Sequence, residues 1–276
     1  MNYHSDEWIM NGIRRHYEEA LTLFPEDRIV GIFAQGSMNY GLDYEGSDID
    51  TKCFLVPTLE DIIFNKKPIS TTHIRANEEH IDFKDIRLFL TTVRKQNLNF
   101  MEILFTKYKI VNPTYEPMWN RLIENNEQIA RYNPVGAVKT MKGIALEKYH
   151  AMEHRYPSKV DIIDKWGYDG KQLSHLIRVD EYLARYIAGE PYADCLITKK
   201  PELLIATKNM TNPKFTLEEA RTIASLHLGA VTHIADEFVA AHKDDPVDWH
   251  ADVLLDDVQR DIMKLGIELE MQKGEC

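Results

Sequence analysis

Gly36–Asp50 reads GSMNYGLDYEGSDID and joins two predicted β-strands. The apolar run Arg28–Ala34 (RIVGIFA) precedes this segment, and Asp48–Val56 (DIDTKCFLV) continues from it. Asp48 and Asp50 stand two residues apart at the start of the second strand, so their side chains leave the same face. Neighbouring carboxylates repel each other unless a cation lies between them. The spacing therefore predicts a cation site at the end of a β-strand.

The start of the same segment has the features of an anion site. Gly36 allows the backbone to approach a ligand closely, and Ser37 offers a hydroxyl and an N–H group. A helix beginning here would direct its free N–H groups towards an anion. Mg²⁺ is usually held by one or two carboxylates together with substrate phosphates. The segment therefore predicts Mg²⁺ and a phosphate-bearing ligand.

A third carboxylate would complete a two-metal centre. In the extended segment 79–84, Ile81 and Phe83 alternate with Asp82, so Asp82 is predicted to face the site from a neighbouring strand. Asp85 lies close by and is the alternative. It also suits the N-cap of the helix that follows it.

The rest of the chain predicts an α+β fold. A helix is expected over 6–24, and extended segments over 69–75 and 79–84. Beyond Asn133 and Pro134 strand signals nearly vanish, and about four helices are predicted, over 134–154, 169–188, 216–242 and 251–271. We expect an N-terminal catalytic α/β domain over 1–132 and a helical domain over 133–276.

The motif resembles a known signature. A Gly-Ser pair, a ten-residue spacer and Asp48-Ile49-Asp50 are similar to the signature of the DNA polymerase β nucleotidyltransferase superfamily. The segments DIRLFL (85–90), NLNFMEILF (97–105) and KQLSHLIRVDEYL (171–183) are similar to a family of uncharacterised bacterial and phage predicted nucleotidyltransferases. The match departs from the signature in two details, because Gln35 stands where an apolar residue is usual and Thr51 follows the second Asp.

The resemblance implies a minimal polymerase β-type catalytic domain and a role for each residue. Asp48 and Asp50 would hold two Mg²⁺ ions, with Mn²⁺ as a possible substitute. Asp82 would hold the catalytic metal and help to deprotonate an acceptor hydroxyl. Gly36 and Ser37 would bind the β- and γ-phosphates of an NTP. The reaction would transfer an NMP to the acceptor and release pyrophosphate.

A second group of nucleotide-binding residues is implied in the helical domain. Lys171, His175 and Arg178 are spaced to share one helical face, which in most proteins is merely solvated. The resemblance gives this face a nucleotide-binding role. The two cations would contact phosphates, and His175 would supply a hydrogen bond or a stacking surface.

The net charge of −11 limits the acceptor, because a broad nucleic-acid surface needs clustered Lys and Arg. We expect a small molecule or a protein side chain as acceptor, and RNA ranks last. The alternative function is a catalytically silent module that binds nucleotides or regulates a partner on the same fold. A metal-dependent phosphohydrolase is less favoured, since its HD signature is absent.

The remaining features concern location. Three widely spaced cysteines predict neither disulfides nor a structural zinc site. The first residues lack the apolar region of a signal peptide, and no run is long enough for a membrane span. These features predict a cytoplasmic protein without a membrane partner.

Overall fold

The computed structural model describes residues 3–274 and divides into two compact units. The first unit comprises the residues up to Asn39, Asp43–Tyr132 and the residues from Val247 onwards. The second comprises Tyr40–Leu42 and Asn133–Pro246. A five-stranded mixed sheet lies in the first unit, and the described residues of the second form helices and connecting segments. The predicted α+β class is confirmed.

The first unit begins with a helix and continues through the strands of the sheet. Its elements are α1 (Asp6–Leu23), β1 (Ile29–Gln35), α2 (Ser37–Tyr40), β2 (Asp50–Leu55), α3 (Leu59–Ile63), β3 (Ser70–Ile74), β4 (His80–Asp85), α4 (Ile86–Arg94), α5 (Leu98–Met101), β5 (Lys109–Val111), α6 (Glu116–Glu124) and α7 (Asn126–Arg131). The strand order is β3-β4-β2-β1-β5. β2 runs antiparallel to β1 and parallel to β4, so it occupies the centre of the sheet. The predictions did not include β5, α6 and α7; β5 spans only three residues and α7 only six, which is too short for a clear periodic pattern.

One face of the sheet packs against α1. Alternate residues of β1, β2 and β4 meet the apolar stripe of this helix in a single cluster, which includes Ile9, Ile13, Ala20, Ile32, Ala34, Cys53, Leu55, Ile81 and Phe83. Burial of each large aliphatic or aromatic side chain contributes about 1.5–3 kcal/mol. This packing determines which residues of the central strands point the other way.

The opposite face changes character along the strands. Phe33 and Phe54 lie against Phe89 of α4 and Trp119 of α6, with ring centroids 4.3 Å apart for Phe33 and Trp119 and 4.2 Å apart for Phe54 and Phe89. Further along the same face the residues are polar and charged, beginning with Lys52 on β2. The candidate site occupies this polar end.

The second unit is built from helices. It contains α8 (Pro134–Ala151), α9 (Val160–Trp166), α10 (Gly170–Ile187), α11 (Tyr192–Leu196), α12 (Pro201–Lys208) and α13 (Leu217–His242). Asn133 caps α8, Asp169 caps α10, and Thr216 and Glu219 form a capping box at α13. The prediction of about four helices omitted α9, α11 and α12, which are too short for a clear apolar period. Across the described residues, no helix is long and apolar enough to cross a membrane.

The last helix, α14 (Trp249–Gln272), groups with the sheet and not with the helices before it. The units divide after Tyr132 and again after Pro246, whereas the prediction of domains over 1–132 and 133–276 has a single boundary. The reason is side-chain packing. A Cβ atom added at Gly266 of α14 would lie 2.5 Å from Val56 Cγ1 and 3.2 Å from the hydroxyl oxygen of Tyr115. Arg94 of α4 and Arg121 of α6 form ion pairs with aspartates of α14.

Gly266→Ala should destabilise the first unit by about 1–3 kcal/mol, because the added methyl group overpacks the contact with Val56. Thermal melting measures the effect. The matched control is Gly143→Ala, at an exposed position of α8 where an added Cβ meets no atom within 4 Å. This control should gain about 0.5–1 kcal/mol from the loss of helical glycine. A Gly266→Ala variant as stable as the control would contradict the packing of α14 described here.

Candidate active site

The turn after β1 depends on a glycine. Gly36 has φ of 78°, in the left-handed region that disfavours a side chain. Its N–H group donates to Oε1 of Glu102 at 3.2 Å, and Glu102 is buried. This amide therefore already binds an anionic oxygen that belongs to the protein. A phosphate would have to displace that carboxylate, or use the hydroxyl and N–H groups of Ser37, the first residue of α2.

Asp48 and Asp50 point away from the core because Ile49 between them is fully buried. A Cβ atom on Gly12 of α1 would lie only 2.1 Å from Ile49 Cδ1, so the glycine makes room for this side chain. Asp48 is exposed. Asp50 accepts the backbone N–H of His80 at 3.0 Å, and Nδ1 of the His80 ring lies 3.7 Å from the same carboxylate oxygen. His80 was not predicted as a site residue.

Asp82 lies on β4, beside the strand that carries Asp50. It stands opposite Lys52 of β2 in the parallel register and opposite Thr72 of β3 in the antiparallel one. One carboxylate oxygen accepts the hydroxyl of Thr72, and the other accepts Nε2 of Gln35 at 3.3 Å. Asp82 is therefore on the polar face, on the adjacent strand.

Asp85, the alternative third carboxylate, has a structural task. It is buried, caps α4 by accepting the N–H of Arg87 at 2.8 Å, and forms an ion pair with the Arg87 guanidinium at 2.6 Å. It is three residues from Asp82 along the strand, so it lies on the opposite face. Of the two candidates, Asp82 is the one on the same face as Asp50.

A buried lysine lies between the carboxylates. Lys52 is 5% exposed, and its ammonium group donates to Oε1 of Gln35. It also lies 5.1 Å from the ring centroid of Phe100. Burial lowers the pKa of Lys52 to about 8, although the nearby carboxylates Asp82 and Asp50 act in the opposite direction. Sequence reasoning missed this residue, since a strand lysine is ordinarily solvated.

The carboxylates fit one divalent cation better than two. Across residues 3–274, no group of three or more His, Cys, Asp and Glu side chains could hold a metal ion by itself. Asp48 and Asp50 are two hard oxygen donors on one face, which suits a Mg²⁺ ion that takes its other ligands from water and phosphates. Both oxygens of Asp82 accept hydrogen bonds, and the Lys52 ammonium lies nearby. The expected three-carboxylate centre does not fit this arrangement.

A buried network supports the site from behind. His16 of α1 lies 2.9 Å from Thr51 Oγ1 through Nδ1 and 3.0 Å from Glu79 through Nε2. Burial lowers the pKa of His16, so the ring is neutral. Burial alone would raise the pKa of Glu79, but hydrogen bonds from His16, Asn77 and Arg75 hold it below its usual value. The ring therefore donates Nε2–H to Glu79 and accepts the Thr51 hydroxyl.

This hydroxyl, imidazole and carboxylate set has the composition of a hydrolytic triad, but Thr51 is fully buried and out of reach of a substrate. Its role is positional. Thr51 adjoins Asp50, and Glu79 adjoins His80, whose N–H group holds Asp50. His16 thereby ties the two strand ends that carry the site.

In the second unit, α10 carries the other predicted residues. The Arg178 guanidinium is buried and lies 3.7 Å from the centroid of the Tyr40 ring. Such a cation–π contact is worth about 2 kcal/mol when desolvated. Tyr40 belongs to the same segment as Gly36 and Ser37. Next to it, the carbonyl of Leu42 accepts the Lys208 ammonium at 3.1 Å.

His175 lies among cations in this unit. Burial keeps the pKa of His175 well below its usual value, and Arg178, Lys171, Lys148 and Lys208 add to the effect. The imidazole is therefore neutral. The structure brings Lys171 and Arg178 close to it, and it adds Lys148 of α8 and Lys208 of α12, which one-helix periodicity could not reveal. These four cations are grouped around one imidazole in a protein whose net charge is −11.

The sequence matches no protein-family model and no curated protein. Among solved structures, the chain is similar to a nucleotidyltransferase-like protein from Exiguobacterium sibiricum 255-15. The two share 14% sequence identity over 96% of this chain and 92% of the other, with a TM-score of 0.30. A likeness of this size carries no argument about function.

The neutral state of His175 predicts a pH effect on stability. Below its ordinary pKa of 6.5, the unfolded chain binds a proton at this position that the folded chain does not. Stability should therefore fall as the pH falls from 6.5, by up to about 1.4 kcal/mol per pH unit from this group. His175→Asn should reduce the loss of melting temperature between pH 7 and pH 5. The control His233→Asn, at a 72% exposed side chain of α13, should leave it unchanged. Equal pH dependence in all three proteins would contradict the burial of a neutral His175.

Proposed function

We propose that this protein is a Mg²⁺-dependent nucleotidyltransferase that transfers an NMP from an NTP to a hydroxyl-bearing acceptor. The observation that carries the proposal is the position of Asp50 and Asp82 on one face of adjacent parallel strands, with Asp48 two residues before Asp50 in the chain and a left-handed glycine turn at the start of the same segment. The resemblance of Gly36–Asp50 to the polymerase β signature supports the same reading.

Each residue has a chemical role in this proposal. Asp48 and Asp50 would hold Mg²⁺, or Mn²⁺ in its place. A bound ion would neutralise charge on the phosphates as pyrophosphate leaves. Ser37 and Gly36 would contact the phosphates, with Glu102 giving up the Gly36 amide to them. His80 would keep the Asp50 carboxylate oriented through its backbone N–H.

Asp82 would act on the acceptor. The acceptor hydroxyl loses its proton to the Asp82 carboxylate as its oxygen attacks the α-phosphorus. A bond forms between that oxygen and phosphorus, and the bond from phosphorus to the pyrophosphate oxygen breaks, so pyrophosphate carries away the electron pair. Thr72 and Gln35 hold the carboxylate in place for this proton transfer.

The helical unit would contribute to nucleotide binding. Lys171 and Arg178 supply positive charge suited to phosphates, and the neutral His175 can accept or donate one hydrogen bond. Tyr40 makes the cation–π contact with Arg178 and follows Ser37 by three residues in the sequence. The net charge of −11 favours a small molecule or a protein side chain as the acceptor over RNA.

Asp48→Asn and Asp50→Asn should each lower pyrophosphate release about 10³-fold, because several kcal/mol of charge stabilisation depend on the bound ion. Melting curves should show that both variants remain folded, since neither side chain lies in the core. The matched control is Glu45→Gln, an exposed carboxylate of the same loop, which should retain full activity. Unchanged turnover in either aspartate variant would remove that residue from the site.

Incubation with each α-phosphate-labelled NTP, Mg²⁺ and a cell extract tests the function directly. Label should appear on one class of acceptor, and NTP with Mg²⁺ should raise the melting temperature more than NTP alone. A melting shift without transferred label would favour the catalytically silent nucleotide-binding module. Neither label nor melting shift with any of the four NTPs would overturn the proposal.

Asp82→Asn should lower kcat by about 10²–10⁴-fold, because no carboxylate remains at this position to take the proton from the substrate hydroxyl. Binding of the NTP should persist, since Asp48, Asp50 and the glycine turn remain. Asp85→Asn provides the control, because asparagine also caps helices and should preserve activity. If Asp85→Asn were the inactive variant and Asp82→Asn the active one, the roles of the two residues would be reversed.

A further inference from the structure

The charge between Asp50 and Asp82 is supplied by the protein itself. The Lys52 ammonium donates to one atom of the Gln35 amide, and the other atom of that amide donates to Asp82 at 3.3 Å. Gln35 therefore connects the lysine to the third carboxylate. Gln35, Lys52 and Asp82 lie on three adjacent strands, β1, β2 and β4, and on the same face of the sheet.

We propose that the Lys52 ammonium takes the place of a second metal ion, so that the site binds one divalent cation. This inference rests on the proposed nucleotidyltransferase function and specifies its cofactor requirement. Asp48 and Asp50 would hold the single ion. The charge of Lys52 would balance that of Asp82, which would take the proton of the acceptor hydroxyl.

Hydrogen bonding holds the Lys52 ammonium inside the site. Lys52 is 5% exposed, its ammonium donates to Gln35, and it lies 5.1 Å from the ring centroid of Phe100. A buried charge is tolerated only where polar partners compensate it, and here these are Gln35 and the carboxylates on either side.

A second divalent ion would meet two obstacles. In two-metal sites the ions lie about 3.5–4 Å apart, which would bring the second one against the buried ammonium. Its proper ligand, Asp82, has both oxygens engaged by Thr72 and Gln35. Repulsion by the ammonium and the lack of an available carboxylate ligand therefore both favour a single ion.

The test is a count of bound Mn²⁺ by electron paramagnetic resonance, with the full-length protein alone and with the non-hydrolysable analogue α,β-methylene-ATP. The wild-type protein should bind one Mn²⁺ per chain under both conditions. With the analogue, Lys52→Met should bind two, because the ammonium that repels a second cation is gone. Two neighbouring Mn²⁺ ions also give an exchange-coupled spectrum, which a single ion cannot.

The matched control is Lys84→Met, on the same face and next to Asp82 along β4. Lys84 donates to Ser70 at 3.0 Å and does not contact the Gln35 bridge, so the count should stay at one. Lys52→Gln serves as a second variant if Lys52→Met melts too low to measure. It lacks the charge but keeps a hydrogen-bonding group.

The outcomes separate this inference from the proposed function. Two ions in the wild-type protein, or none, overturn it without any variant. One ion in wild type and still one in a folded Lys52 variant overturns the role of Lys52. If one ion becomes two as expected but no NTP is turned over, the inference about the site stands and the proposed reaction fails.

Discussion

The central position of β2 is the constraint on which the site depends. It hydrogen-bonds to β1 on one side and β4 on the other, so its side chains project only above and below the sheet. One of these faces packs against α1, and the other carries the candidate site. Thr51, Cys53 and Leu55 are committed to the core, which forces Asp50 and Lys52 onto the opposite face. A shift of one residue in register would bury the carboxylate and expose the core. The apolar packing against α1 thus fixes where the charged groups stand.

The two residues that depart from the polymerase β signature are explained by these faces. In front of β2, Gln35 bridges the Lys52 ammonium and Asp82, which an apolar side chain could not do. On the core face of β2, the Thr51 hydroxyl donates a hydrogen bond to the buried His16, whose other ring nitrogen donates to Glu79. Both residues are polar, and each has hydrogen-bond partners, as burial requires.

Charge is distributed unevenly in this acidic chain. The first unit places aspartates at the polar end of its sheet and adds one buried lysine among them. The second gathers Lys148, Lys171, Arg178 and Lys208 around a neutral imidazole. The net charge of −11 is a sum over the whole chain and does not reveal either the aspartates of the first unit or the cations of the second. Local groupings of this kind let an acidic protein bind an anionic ligand.

Local pattern in the sequence determined the α+β class, the strands on both sides of Gly36–Asp50, the alternation that puts Asp82 opposite the core, and the four long helices. These depend on periodicity and on residues that lie near one another in the chain. Tertiary structure alone decided that α14 joins the sheet and that Lys52 is a buried cation beside Asp82. These features arise from contacts between distant segments, where a side chain's charge and burial depend on partners that no local pattern names.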